Sequence, residues 1–249
     1  MKTFDKLLQV KSKRGAGYLV LIDPDKQEVD RAVETAESCE EAGVDALLVG
    51  GSLLFTQNLD LLVSRIKEKC NLPVILFPGS TKQVSRYADA ILFLSLISGR
   101  NANTLIGEQV MAAPIIKSID IEPISTGYMF IESGCVTSAL FISDTRPIPR
   151  EKADIAAAHA LAAEYIGMKC VYLEAGSGAV YSVPESIIRS VKGYCNIPII
   201  VGGGIRTPAD AANKVKAGAD FIVTGSVIED NGSKDLLKEF AAAVHQKNK

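Results

Sequence analysis

The chain has 249 residues, 47% of them hydrophobic and 22% charged, with a formal net charge of −2. That length suits one large domain or two small ones, with enough apolar material for a substantial core. The near-neutral balance supplies no overall field to attract nucleic acid or an anionic membrane, and no apolar run reaches the ~18 residues that a bilayer span needs.

The chain opens on Met1-Lys-Thr-Phe-Asp-Lys-Leu-Leu, which lacks the apolar core and small-residue cleavage site of a signal peptide. Cys39, Cys70, Cys135, Cys170 and Cys195 are widely spread and form no Cys-x-x-Cys pair. With only two histidines present, a zinc site is not expected. Most of the thiols sit among apolar neighbours and read as small core residues, in a reduced, cytoplasmic setting.

Short runs rich in Val, Ile, Leu and Phe then recur with helical patterns between them. Eight are expected as strands: residues 18–23, 46–51, 74–79, 90–96, 124–130, 171–176, 198–203 and 221–225. Most are near-continuous apolar runs, the pattern of parallel strands covered on both faces. A helix over 28–42 ends at Gly43 and another over 209–217 ends at Gly218, glycine being common just past a helix. Thr207-Pro208 gives the second an N-cap and a proline at its first position.

Eight β/α units in about 250 residues predict an α/β fold of the TIM (β/α)8 type, as a single domain over 1–249. A doubly wound open sheet is the alternative, but its usual order does not account for glycine-rich ends on the last three strands. Two departures are expected. The third connection, 80–89, is too short for a full crossover helix. The fifth, 131–167, is a long insertion with a hairpin (136–142, then Asp144-Thr-Arg-Pro) before a helix over 151–166.

The segment Tyr172-Leu-Glu-Ala-Gly-Ser-Gly178 reads as a buried strand that presents a carboxylate and then breaks into a glycine loop. Strand alternation puts Tyr172, Glu174 and Gly176 on one face and Val171, Leu173 and Ala175 on the other. An unpaired ionised Glu in such a place is costly, so something must compensate for it. Glu174 reads as an acid or base, a hydroxyl ligand, or half of a structural ion pair, and its position near the end of an inward row favours function. Tyr172 either donates to the same ligand or is a core aromatic with its hydroxyl satisfied locally.

Gly203, Gly204, Gly225 and Ser226 follow strands seven and eight, where barrels of this type often bind phosphate. Glycine lets backbone N–H groups approach an anion closely. Asp23-Pro-Asp-Lys26 closes the first strand. Asp23 there suits Mg²⁺, which typically takes one or two protein oxygens beside substrate phosphates, and Ser52 adds a hydroxyl. Asp25 reads as an N-cap of the next helix. Lys26, Lys82 and Arg100 are either rim cations or solvated surface charge. His159 reads as packing and His245 lies near the C-terminus, so neither supports a Ser/His or Cys/His mechanism.

Together these segments resemble the geranylgeranylglyceryl phosphate synthase family of prenyltransferase TIM barrels. The resemblance rests on Leu-Ile-Asp-Pro-Asp-Lys26, Val49-Gly-Gly-Ser52, the Tyr172 to Gly178 segment, Val201-Gly-Gly-Gly-Ile-Arg206 and Thr224-Gly-Ser226. Glu-Ala-Gly-Ser-Gly178, with Ile106-Gly-Glu-Gln-Val110 upstream, is similar to the second, longer subgroup. The resemblance implies transfer of a geranylgeranyl group from its diphosphate to the C3 hydroxyl of sn-glycerol 1-phosphate, in ether lipid synthesis.

It further implies that Tyr172 and Glu174 hold the glycerol hydroxyls, within a binding segment that includes Leu173 and Ala175. Gly176, Ser177, Gly178, Gly203, Gly204, Gly225 and Ser226 would bind the phosphate, while Asp23 and Ser52 would coordinate Mg²⁺ on the prenyl diphosphate. A homo-oligomer, dimer or hexamer, is implied as well. The lipid tail is expected in an apolar groove around 92–97, 105–116 and 128–141, floored by Phe93, Tyr128 or Phe141. The rivals are a longer donor such as heptaprenyl diphosphate, a sugar-phosphate isomerase or ribose-phosphate barrel, a flavin barrel, and a non-catalytic phosphate or lipid carrier.

Overall fold

Eight parallel strands close on themselves in chain order in the computed structural model, which describes residues 1–231 and 233–246. They are β1 (Gly17–Ile22), β2 (Ala46–Val49), β3 (Val74–Leu76), β4 (Ala90–Leu96), β5 (Glu122–Phe130), β6 (Cys170–Glu174), β7 (Ile199–Gly202) and β8 (Phe221–Thr224). Because β8 pairs with β1, the sheet has no free edge. This is the expected barrel, and the open sheet is excluded.

Side chains alternate across the sheet as a period of two requires. Leu19, Leu48, Ile75, Leu92, Tyr172 and Phe221 fill the barrel, while Val20, Leu47, Val171, Val201 and Ile222 meet the helices outside. The order of helices is α1 (Thr3–Arg14), α2 (Val29–Ala42), α3 (Leu59–Lys69), α4 (Glu108–Ile119), α5 (Ser138–Ser143), α6 (Ala153–Ile166), α7 (Glu185–Tyr194), α8 (Pro208–Ala217), α9 (Ser226–Asn231) and α10 (Lys234–Val244). A π-helical turn, Asn103–Gly107, leads into α4.

Two termini show how local chemistry sets these bounds. Gly43 ends α2 in the left-handed conformation (φ 86°). Thr207 caps α8, its hydroxyl accepting the Asp210 N–H at 3.1 Å, a bond worth about 1 kcal/mol.

Only one mouth of the barrel is open. Phe4 and Leu7 of α1 join the interior cluster, and the Thr3 N–H donates to Glu122 Oε2 (2.5 Å) at the start of β5. The helix thereby stoppers the N-terminal end. Strand starts on that side are also pinned. Asp45, Asp89 and Asp220 each precede a strand and accept the N–H of Tyr18, Val74 and Ile199 in the preceding one. The C-terminal mouth is left for chemistry.

The third connection carries no helix among the described residues, as its length requires. The fifth differs from expectation. Residues 136–142 and the following Asp144-Thr-Arg-Pro do not form a hairpin; α5 occupies Ser138–Ser143 and ends at Asp144 with φ 47°. The only β pairing there is an isolated parallel bridge, Ile131 to Ile148. A short apolar run does not distinguish helix from strand by periodicity, and here one helical turn seats Leu140 in a small cluster with Leu96 and Phe130. Among the described residues no helix is long and apolar enough to cross a membrane.

Candidate active site

The open mouth leads into a cavity of about 780 Å³, bounded by the loops after β1, β2, β3, β6, β7 and β8 and by α4. Its polar end is built on β6. Glu174 is the last residue of that strand, in register between Phe130 of β5 and Gly202 of β7. It is 5% exposed yet lines the cavity. Its Oε1 accepts the Gly176 N–H at 2.5 Å. Burial raises its pKa to about 7, against the opposing pull of the Gly176 N–H and of the Tyr172 and Tyr128 hydroxyls, which favour the charged form. The compensation for a buried acid is therefore partial, which leaves Glu174 titrating near neutrality.

Tyr172 is a core aromatic with its hydroxyl satisfied locally, the second of its expected readings. Its ring stacks on Phe77 (centroids 5.1 Å apart) and meets Tyr128 edge to face at 5.4 Å, while its hydroxyl serves Glu174. Leu173 and Ala175 differ from expectation. They do not line the cavity; alternation sends them into the outer core against the helices.

Around the acid the backbone makes a glycine rim, with Gly176, Ser177, Gly178, Gly203, Gly204, Gly225 and Ser226 all facing the cavity. Gly176 and Gly203 have φ of 100° and 82°. A side chain on Gly203 would also overlap Glu174 Oε1 and the Gly176 backbone, so the chain leaving β7 can pass the acid only as glycine.

At the ends of β1, which pairs with β8, and of β2, Asp23 and Ser52 face the same cavity. Asp23 is half-buried, and burial raises its pKa despite the Asp25 N–H and the Lys26 charge. One carboxylate and one hydroxyl fit a hard divalent cation whose remaining ligands are substrate phosphates and water. Among the described residues no cluster of three His, Cys, Asp or Glu exists to cage a metal unaided.

Asp25 is not an N-cap. Its carboxylate accepts the N–H groups of Phe55 and Thr56 at 2.8 and 2.9 Å and so ties down the loop after β2. Lys82 and Arg100 do not line the cavity; Arg100 donates to Gly99 O (2.6 Å) and lies 3.3 Å from the His159 ring. Lys26 does line it.

The far arm of the cavity is apolar. Where a third crossover helix would sit, Val84 lines the cavity together with Ile91 and Phe93 of β4 and Ala112 and Ile116 of α4. Phe141 is 77% exposed and lies outside the cavity, so it is not the groove's floor. Phe93 and Tyr128 do line it.

A glycine rim, a buried acid and apolar side chains thus line one cavity. The "PcrB family" model aligns with residues 8–244. The chain belongs to the PcrB family.

The chain is also similar to curated proteins named geranylgeranylglyceryl phosphate synthase. That of Chitinophaga pinensis is 48% identical over 98% of this chain and 96% of its own length. That of Thermococcus kodakarensis is 50% identical over 92% and 90%. The crystal structure of (S)-3-O-geranylgeranylglyceryl phosphate synthase from Thermoplasma acidophilum, in complex with its substrate sn-glycerol-1-phosphate, superposes with a TM-score of 0.93. It is 38% identical, covering 98% of this chain and 99% of that one.

Sequence reasoning missed two features of this PcrB-family site. Glu229 accepts the Asp23 N–H (3.1 Å) and pairs with Lys26 (2.8 Å), yet it is one carboxylate among many in a helical stretch. Its place three residues after Ser226 was the available signal. Tyr128, read only as groove lining, brings a second phenol to Glu174. That convergence depends on the β5–β6 register, Tyr128 opposite Tyr172, which no local pattern contains.

Proposed function

We propose that the protein joins a geranylgeranyl group to the C3 hydroxyl of sn-glycerol 1-phosphate, releasing diphosphate. The single observation that carries this reading is the continuity of the cavity: the glycine rim, the Glu174 carboxyl and the apolar arm line one space. Its curated relatives are geranylgeranylglyceryl phosphate synthases, and the Thermoplasma acidophilum enzyme binds sn-glycerol-1-phosphate.

The glycine loops after β6, β7 and β8 seat the phosphate, which fixes the glycerol and places its free hydroxyls toward Tyr172 and Glu174. The apolar arm takes the polyprenyl tail, where each buried CH₂ contributes ~0.8 kcal/mol. The C3 oxygen then forms its bond to C1 of the prenyl chain as the bond from C1 to diphosphate breaks, with the electron pair leaving on the diphosphate. Glu174 takes the hydroxyl proton. A group whose pKa lies near 7 is suited to that task at neutral pH. Holding both partners in one cavity lowers the barrier by positioning. Asp23 and Ser52 would hold Mg²⁺, which supplies charge neutralisation to the leaving diphosphate.

Exposed Val136, Phe141 and Ile142 on and beside α5 support a homo-oligomer. A sugar-phosphate isomerase reading accounts for the rim but leaves the apolar arm without a purpose, and a carrier reading leaves Glu174 without one. Incubating the protein with sn-glycerol 1-phosphate, geranylgeranyl diphosphate and Mg²⁺ should yield the prenyl ether and one diphosphate per ether. Binding of both substrates with no diphosphate release would replace catalysis with transport.

A further inference from the structure

Lys26 reaches across the phosphate rim. Its Nζ lies 2.8 Å from Glu229 Oε2, 3.3 Å from Ser177 Oγ and 3.4 Å from Ser226 Oγ. The two serine hydroxyls are 2.9 Å apart. Ser177 belongs to the loop after β6 and Ser226 follows β8, so one ammonium from the turn after β1 spans both. An ammonium has three donors and no acceptor, and these three oxygens account for them. The serine contacts are long for N–H···O bonds, whereas the Glu229 contact is not.

The charges of the cavity give this arrangement a purpose. Its acidic side chains are Asp23, Glu108, Glu174 and Glu229, and its basic ones are Lys26 and Arg206. Arg206 is committed behind the rim, donating to the Ala179 and Val180 carbonyls at 2.7 and 3.1 Å. A phosphate dianion entering a cavity with more acids than bases needs a cation, and Lys26 stands over the loops that would receive it.

We propose that Lys26 binds the phosphate of the glycerol phosphate and that Glu229 is a positioning residue that holds its ammonium over Ser177 and Ser226. The inference rests on the reading that this rim seats a glycerol phosphate. The bound phosphate replaces the two long serine contacts, and both hydroxyls turn to it. Glu229 keeps the third donor, so the long lysine side chain is ordered before substrate arrives. Glu229 also accepts the Asp23 N–H, and the Lys26 N–H donates to Asp23 O at 3.1 Å. The same small network thus fixes the backbone of the residue facing the diphosphate end.

The test is calorimetric titration of the full chain with sn-glycerol 1-phosphate and, separately, with inorganic phosphate, in the absence of donor. K26M should weaken both by about 10- to 100-fold, the contribution of a charge-assisted hydrogen bond. E229A should weaken them by less and add nothing in the K26M background, while K26R should recover part of the loss. In turnover, K26M should raise KM for glycerol phosphate far more than it lowers kcat. Binding by K26M within twofold of wild type overturns the role of Lys26. Equal losses from E229A in both backgrounds overturn the role of Glu229. Lys26-dependent phosphate binding without ether formation leaves the subsite standing and removes the proposed function. Normal turnover by K26M with unchanged KM does the reverse, and wild-type protein that binds neither ligand overturns both.

Discussion

Glu174 and Gly203 are a matched pair: the carboxylate oxygen Oε1 at the end of β6 occupies the space that any side chain at Gly203 would need. With φ at 82°, Gly203 also holds a backbone conformation that other residues adopt at a cost of about 1–3 kcal/mol. G203A should therefore remain folded but displace the acid, with turnover falling by about 100-fold or more. Comparing thermal melts with initial rates checks this, and a variant of wild-type activity would show that the acid need not sit there.

The raised pKa of Glu174 has two consequences of opposite kind. Proton acceptance needs the carboxylate, so kcat/KM should rise as pH passes through about 7 and then level. E174Q should remove that limb along with nearly all turnover.

Stability should move the other way with pH. The folded state holds the proton to about pH 7, whereas the unfolded chain releases it near 4.3, so between those values the folded state binds more protons. The contribution of Glu174 is thus fully present below the unfolded value and is lost as pH rises toward 7. Denaturant midpoints of wild type and E174Q across pH 4 to 8 should converge at low pH and separate near neutrality, with the variant the more stable.

Asp23 supplies the carboxylate of the candidate Mg²⁺ site. D23N keeps its size and loses its charge, and it should raise the Mg²⁺ concentration for half-maximal rate by about tenfold or more. Binding of sn-glycerol 1-phosphate without metal should change little. An unaltered Mg²⁺ titration would place the ion elsewhere.

Ala112 is buried on the groove-facing side of α4 and lines the apolar arm. A112F should fill part of that arm and lower the affinity for a C20 donor, at ~0.8 kcal/mol for each CH₂ kept from burial. Shorter donors should be spared. Competition between C10, C15 and C20 diphosphates reads the shift directly, and unchanged preference would show that the tail runs along another wall.

The chain order of apolar runs made eight parallel strands legible without tertiary information, because parallel strands buried on both faces must be apolar throughout, and the glycine-rich ends of the last three favoured a barrel over an open sheet. The end of β6 was legible for the same reason: a glutamate in an apolar strand is an expensive exception, and expensive exceptions mark sites. Asp23, Ser52 and the glycine loops were legible because each closes a strand, and strand ends of a barrel share one mouth. What the tertiary structure alone decided was which side chains meet across strands. Strand register brings the Tyr128 hydroxyl to Glu174, and loop packing turns Asp25 toward Phe55 and Thr56 and sets Glu229 against Lys26 and Asp23. It also made α5 a helix and turned Phe141 outward, because a six-residue run takes its conformation from what it packs against. Periodicity carries the identity of a buried face, whereas contacts between residues 206 positions apart, such as Asp23 and Glu229, depend on closure of the whole barrel.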